Sequence, residues 1–290
     1  MPTLAQWVEG ARPRTLPAAV APVLVGTGAA AAASSMVAWK AVLALVVALA
    51  LQVGVNYAND YSDGIRGTDE DRVGPFRLVG SGAARPPLVK AAALASFAVA
   101  GVAGLVLAVT TAWWLLLVGA ACVAAAWLYT GGPRPYGYAG LGEVFVFVFF
   151  GLVAVVGTAY VQVGRFTVLA WVVAVPVGLL AVAILVANNL RDIPSDRVAG
   201  KRTLAVRLGD PGTRRLYVGC VVVASLVPVL VAVGGYPWAL LAVGGVALAV
   251  SPVRTVLAGA TGRDLIPVLR DTGRLQLVFG LLLAVGLSLG

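Results

Sequence analysis

The chain has 290 residues, 60% hydrophobic and 11% charged, with a formal net charge of +9. That apolarity lies far outside the range of soluble globular domains and, at this length, describes a chain crossing a membrane several times. The basic residues flank apolar runs without an aromatic-basic surface, which argues against nucleic acid. The absence of histidine removes Ser-His-Asp catalysis, histidine-ligated zinc and the commonest general base.

Residues 1–14 read as a short amphipathic approach, with Leu4, Trp7 and Val8 resting in the interface, and not as a signal peptide. Nine spans are predicted at about 15–34, 39–57, 88–109, 112–130, 141–163, 167–187, 216–233, 236–253 and 274–290. Each is long enough for a helix to cross the hydrocarbon layer, and backbone groups in lipid must be satisfied within the segment. The runs are continuously apolar and do not alternate, so a barrel is excluded. The expectation is an all-α polytopic bundle of nine transmembrane helices forming one domain over residues 1–290. Of the 21 basic residues, only Lys40 and Arg165 fall on the side opposite the N-terminus, which places the N-terminus in the cytoplasm. All 12 acidic residues share that cytoplasmic side, so the chemistry is expected there. Cys122 and Cys220 lie within apolar runs and read as small buried hydrophobes.

Two long cytoplasmic loops are expected, about 58–87 and 188–215, and each opens on a polar stretch. The first is Asn56-Tyr57-Ala58-Asn59-Asp60-Tyr61-Ser62-Asp63; the second is Asn188-Asn189-Leu190-Arg191-Asp192-Ile193-Pro194-Ser195-Asp196. Carboxylates and amides beside hydrocarbon need partners. Asn56, Asn59, Asp60 and Asp63 are spaced to share one face of a helix continuing the second span. Asn188, Asp192 and Asp196 repeat every four residues, with Pro194 expected to perturb that helix or start a new one. If the two faces meet, Asp60, Asp63, Asp192 and Asp196, helped by Asn56 and Asn59, repel one another unless cations intervene. Hard oxygen ligands without sulfur or imidazole suit magnesium with phosphate oxygens. Arg72, Arg77, Arg191, Lys201 and Arg202 are candidates to clamp a diphosphate. No GxxxxGK[ST] sequence is present, which argues against nucleotide hydrolysis.

These residues carry a resemblance. Asn59-Asp60-x-x-Asp63 paired with Asp192-x-x-x-Asp196 is similar to the motifs of the UbiA-type intramembrane prenyltransferases. Arg12-Pro13-Arg14-Thr15-Leu16-Pro17, Arg72-Val73-Gly74-Pro75, Tyr129-Thr130-Gly131-Gly132-Pro133 and Gly200-Lys201-Arg202-Thr203-Leu204-Ala205-Val206 resemble the naphthoate branch of that family. A third aspartate often stands four residues after the position of Asp63; here that residue is Gly67, and Asp69 lies two further on. The family's Tyr-x-x-Lys before the second motif is Asn188-x-x-Arg191.

The resemblance implies magnesium-dependent transfer, with two ions bridging the diphosphate, from polyprenyl diphosphate to 1,4-dihydroxy-2-naphthoate. Diphosphate and carbon dioxide leave and demethylmenaquinone forms at the cytoplasmic membrane of a bacterium. It implies an isoprenoid and acceptor pocket, for which Tyr57, Tyr61, Tyr136 and Tyr138 are cation–π candidates. Arg14 is the candidate for the acceptor carboxylate, with Asp69, Glu143 and Asn188 as further polar contacts. Other acceptors (4-hydroxybenzoate, homogentisate, haem, a phosphoribosyl group) are the nearest alternative. A cation-coupled transporter is more distant, because its acids belong at mid-membrane.

Overall fold

The computed structural model describes residues 2–67 and 76–290, and among them there is helix but no strand. Helix α1, Leu4–Gly10, is started by a capping box between Thr3 and Gln6. A 50° bend separates the Leu4–Thr15 segment from α2, Pro17–Ala32. There follow α3 (Ala38–Ile65), α4 (Pro86–Thr110) and α5 (Leu115–Leu128). Next come α6 (Gly142–Val163) and α7 (Val168–Val198), then α8 (Leu204–Val233), broken at Gly209. The chain ends with α9 (Pro237–Leu257) and α10 (Ile266–Ser288).

Each predicted span has its helix, but several boundaries move. Helix α3 runs eight residues past the expected end at 57 and carries the whole first polar stretch in helical form. Helix α7 likewise continues through Asn188–Asp196 to Val198, and Pro194 neither breaks nor restarts it. A proline four residues from a helix end removes one hydrogen bond and leaves little helix beyond it to displace. The loops expected over about 58–87 and 188–215 are correspondingly shorter.

By length and composition α3, α4, α6, α7, α8 and α9 can each cross a membrane, and the bent α1–α2 pair adds a seventh if it is one span. The protein is an integral membrane protein. Helices α2 and α5 have only 16 and 14 residues, and α10 carries Arg270, Asp271 and Arg274 in its first turns.

Helix α7 is the axis of the larger core. Val173, Val177, Leu180 and Val186 pack against Val25 of α2, Val155 of α6, Tyr217 of α8 and Leu275, Phe279 and Leu283 of α10. Small residues let backbones approach closely where lipid supplies no hydrophobic drive between helices. A Cβ on Gly28 would stand 2.7 Å from Ala284 Cα of α10. A second core joins α3 and α4 through Tyr57, Ala58, Val89, Ala93 and Phe97 and receives Leu78 from the intervening loop. Both cores leave one end of α3 and one end of α7 facing a common cavity.

Candidate active site

That cavity holds about 1090 Å³ and is lined by residues of both polar stretches. From α3 come Asn56, Asn59 and Asp63, and from α7 and the turn after it come Asn188, Asn189, Arg191, Asp196 and Lys201. Distant segments of sequence therefore share one site, because each helix keeps its polar turns in phase as it leaves the apolar core. Arg77 reaches the wall from the α3–α4 loop and Tyr138 from the α5–α6 loop.

A chain of contacts ties the two stretches together. Arg77 Nη2 lies 3.3 Å from Asp63 Oδ2. The Tyr138 hydroxyl donates to Asp63 Oδ1. Lys201 Nζ sits 4.4 Å from the centre of the Tyr138 ring, on the cation-attracting face. The same Nζ is 3.9 Å from Asp196 Oδ1. Tyr138 is thus the bridge between the halves. Its loop is fixed by backbone bonds from Gly137 N to Tyr129 O and from Arg202 N to Tyr138 O. Arg66 donates to the carbonyls of Thr130 and Gly132 and clasps the end of α5 to α3, while Thr130 Oγ1 donates to Asn59 Oδ1 at 2.7 Å.

The four expected carboxylates divide into two kinds. All are buried, at 1%, 2%, 3% and 6% exposure for Asp60, Asp63, Asp192 and Asp196, but only Asp63 and Asp196 line the cavity. Asp60 accepts the backbone N–H of Leu78 at 2.7 Å and of Val79 at 3.0 Å, and so pins the loop that delivers Arg77. Asp192 takes a fork from its neighbour, Arg191 Nε at 2.7 Å and Nη2 at 2.9 Å, and that guanidinium also donates to Asn188 Oδ1 at 2.9 Å. Asp192 and Asn188 together hold Arg191 rigidly against the wall, so its guanidinium loses little entropy on meeting an anion.

Arg14 and Tyr136 line the cavity. Tyr136 donates to Ala125 O at 2.8 Å and stacks on Phe145 with ring centres 4.0 Å apart. Burial raises its phenol far above the usual range, so it stays neutral. Glu143 lies behind the wall and accepts from Asn189 Nδ2 at 2.9 Å. Tyr57 and Tyr61 do not line the cavity: Tyr57 bonds Trp7 O and holds α1 in place, and Tyr61 packs on Trp127. The Arg202 side chain is likewise outside the wall, although its backbone N–H donates to Tyr138 O and its neighbours Lys201 and Thr203 line it. Asp69 and Arg72 lie outside the described residues.

Gln52, Thr130, Phe145, Phe149 and Phe150 were not singled out by sequence, yet all line the cavity. Gln52 donates to Thr15 Oγ1 at 2.8 Å. Its place four residues before Asn56 was the available signal.

The donor set suits a hard cation. Among the described residues no three acids, cysteines or histidines gather as a ready-made metal cluster. Magnesium needs only one or two carboxylates when phosphate oxygens and water complete its shell. Asp63, Asp196, Asn56 and Asn59 supply oxygen donors of that kind on one cavity. Beside them stand Arg12, Arg14, Arg77, Arg191, Lys201 and Arg270, against Glu9, Asp63 and Asp196. This positive excess in a cleft with low-dielectric walls favours an anionic ligand. The other end of the cavity is apolar, walled by Ala48, Leu51, Phe149, Phe150, Ala154 and Ile184.

An all-helical membrane protein with a charged head site opening into a hydrocarbon-lined arm is built to handle an amphiphile bearing an anionic group. The chain belongs to the UbiA prenyltransferase family, whose model matches residues 19–264. It is 57% identical over 290 residues, covering 100% of this chain and 99% of the relative, to the 1,4-dihydroxy-2-naphthoate octaprenyltransferase of Mycobacterium tuberculosis. It is 42% identical over 228 residues to the enzyme of that name from Escherichia coli, covering 76% of this chain and 74% of the relative. The fold is that of the apo structure of a UbiA homologue from Aeropyrum pernix, with a TM-score of 0.73 at 17% identity over 92% of this chain and 97% of that one. A UbiA homologue from Archaeoglobus fulgidus bound to GPP and Mg2+ superposes with a TM-score of 0.66 at 12% identity, over 96% of this chain and 99% of that one.

Proposed function

We propose that this chain transfers a polyprenyl group from polyprenyl diphosphate to 1,4-dihydroxy-2-naphthoate, giving the quinol form of demethylmenaquinone. The allylic C–O bond to diphosphate breaks, a C–C bond forms at ring carbon 2, and the carboxylate there leaves as carbon dioxide. The electron pair it leaves behind restores the aromatic ring. The 57% identity along the whole chain supports the choice of acceptor. The observation that carries the reading is the single cavity with a cationic and acidic head and a hydrocarbon arm.

Asp63 and Asp196, with Asn56 and Asn59, are the residues that would hold Mg2+ in this cavity. Asp60 and Asp192 would support them from behind. Magnesium held there, as two ions on this reading, would supply positive charge against that growing on the leaving diphosphate. Arg77, Arg191 and Lys201 bind the diphosphate oxygens, Arg191 through the Nη1 edge of a guanidinium that Asp192 and Asn188 hold in place. Tyr138 keeps Asp63 and Lys201 in register, and the Tyr136 ring lines the cavity beside it, near the developing allylic cation. Arg14 faces the same cavity and meets the acceptor carboxylate. The apolar arm takes the isoprenoid and excludes water from the cation.

The chain crosses the cytoplasmic membrane nine times, with the N-terminus and the active site on the cytoplasmic side. The distribution of its basic residues supports that orientation.

The test is product formation by the purified protein in lipid nanodiscs, supplied with octaprenyl diphosphate, Mg2+ and either dihydroxynaphthoate, 4-hydroxybenzoate or homogentisate. Mass spectrometry should find a prenylated, decarboxylated product from dihydroxynaphthoate. Removal of divalent cations by a chelator should stop its formation, and added Mg2+ should restore it. Product from another acceptor alone would overturn the reading.

A further inference from the structure

Helix α6 is not a regular helix. Residues Phe147–Val153 form seven residues of π-helix inside it, a rare geometry found frequently at functional sites. It coincides with a close approach of the neighbouring helix. A Cβ on Gly151 would stand 2.7 Å from Gly178 Cα of α7, and one on Gly178 would stand 2.8 Å from the Phe147 ring and 3.1 Å from Gly151 Cα. The two backbones touch at a crossing that only glycine permits, and the wide turn is seated there.

The consequence is a change of phase. From Phe145 to Ala154 a regular helix turns through roughly 900°, which would leave the two on opposite faces. The π residues wind more slowly, roughly 80° each, so the total comes within about 60° of two full turns. Phe145, Phe149, Phe150 and Ala154 all line the one cavity. They begin at the stack of Phe145 on Tyr136 beside the charged head, and Phe149 follows with its ring centre 6.0 Å from that of Phe145.

We propose that this π-turn is the donor-length specificity element: it swings Phe149 and Phe150 onto the wall of the apolar arm, where they grip the isoprene units beyond the first. The inference rests on the reading that a polyprenyl diphosphate occupies the cavity. The first unit lies at the charged head beside Tyr136 and Tyr138. Later units run along the phenylalanine wall, so loss of that wall weakens long donors more than short ones.

The experiment compares dimethylallyl, geranyl and geranylgeranyl diphosphate as donors for the full-length protein and for Phe149→Ala, Phe150→Ala and Gly178→Ala. Phe149→Leu and Phe150→Leu are included as variants that keep most of the volume. In the alanine variants the ratio of kcat/KM for geranylgeranyl to that for dimethylallyl diphosphate should fall about tenfold, from aromatic surface removed at Phe149 or Phe150, or displaced by a Cβ at Gly178. Leucine should recover part of it. A purely structural role would lower both donors together, leave the ratio at its wild-type value and overturn the proposal. Donor affinity, read by quenching of tryptophan fluorescence without acceptor, provides a second measurement. Wild-type affinity should rise from the short to the long donor, and the alanine variants should flatten that rise. If no donor is turned over with dihydroxynaphthoate, the proposed reaction falls while this affinity gradient still decides the π-turn's role. An unaltered gradient in the alanine variants overturns it.

Discussion

Tyr138 and Asp60 show how neighbouring polar groups take different tasks. Tyr138 links the two aspartate stretches, its hydroxyl on Asp63 and its ring under Lys201. Tyr138→Phe keeps the ring and the lysine contact but removes the hydrogen bond to the carboxylate. A bond to a charged group is worth about 1.5–3 kcal/mol, so the melting temperature in detergent should fall, and prenyl transfer by the folded fraction should fall about tenfold as Asp63 loses its register. Wild-type turnover in Tyr138→Phe would show that the bridge is idle. Asp60 has its carboxylate oxygens on two backbone N–H groups of the loop that carries Arg77. Asp60→Ala would leave the buried Leu78 N–H and the half-buried Val79 N–H without that partner, at a cost of about 1–3 kcal/mol for the buried one and less for the other. The expected result is a lower melting temperature, faster proteolysis around Leu78–Val79 and loss of transfer together. If activity vanished while the loop stayed as resistant as in wild type, the role assigned to Asp60 here would be wrong.

At the scale of elements, the end of the bundle away from the site is held by Lys40. Its Nζ donates to Val161 O at 2.8 Å, Thr111 Oγ1 at 2.9 Å and Thr110 O at 3.3 Å. One cation on α3 thereby satisfies carbonyls at the C-terminal ends of α4 and α6, where helix dipoles favour positive charge. Lys40→Met should destabilise the protein by about 1–3 kcal/mol, seen as a lower melting temperature, with kcat of the folded fraction unchanged. A fall in kcat at unaltered melting temperature would contradict a purely structural role. The sequence made the helical character of these elements readable, since each is a long apolar run, and the spacing of Asn56, Asn59, Asp60 and Asp63 correctly implied helix. It did not separate Asp60 from Asp63. The two sit three residues apart on one helix, and what turns Asp60 away from the cavity is a loop folding back about 18 residues later. The π-turn was equally hidden. Phe147–Val153 is apolar throughout, and the Gly178 it packs against lies on another helix, so no local pattern announces it.

For the whole molecule, charge asymmetry is the argument for topology, and three rods make it worth testing. Helices α2, α5 and α10 are the ones that fall short by length or carry charge. If all nine rods cross, Met36 and Arg165 lie on one side, and Ser81, Arg134 and Ala258 on the other. The local surroundings allow a probe, because all five positions are exposed. The background is the protein with Cys122→Ser and Cys220→Ala, which removes the two native thiols. Into it go Met36→Cys, Ser81→Cys, Arg134→Cys, Arg165→Cys and Ala258→Cys, one at a time. In intact cells a membrane-impermeant maleimide should label Met36→Cys and Arg165→Cys, and should reach the other three only after permeabilisation. Labelling of Arg134→Cys in intact cells would remove α5 from the crossing set and place the Tyr138 loop on the far side from Arg77. That outcome would conflict with the contact from Tyr138 to Asp63, so the same labelling pattern tests the topology and the joined active site together.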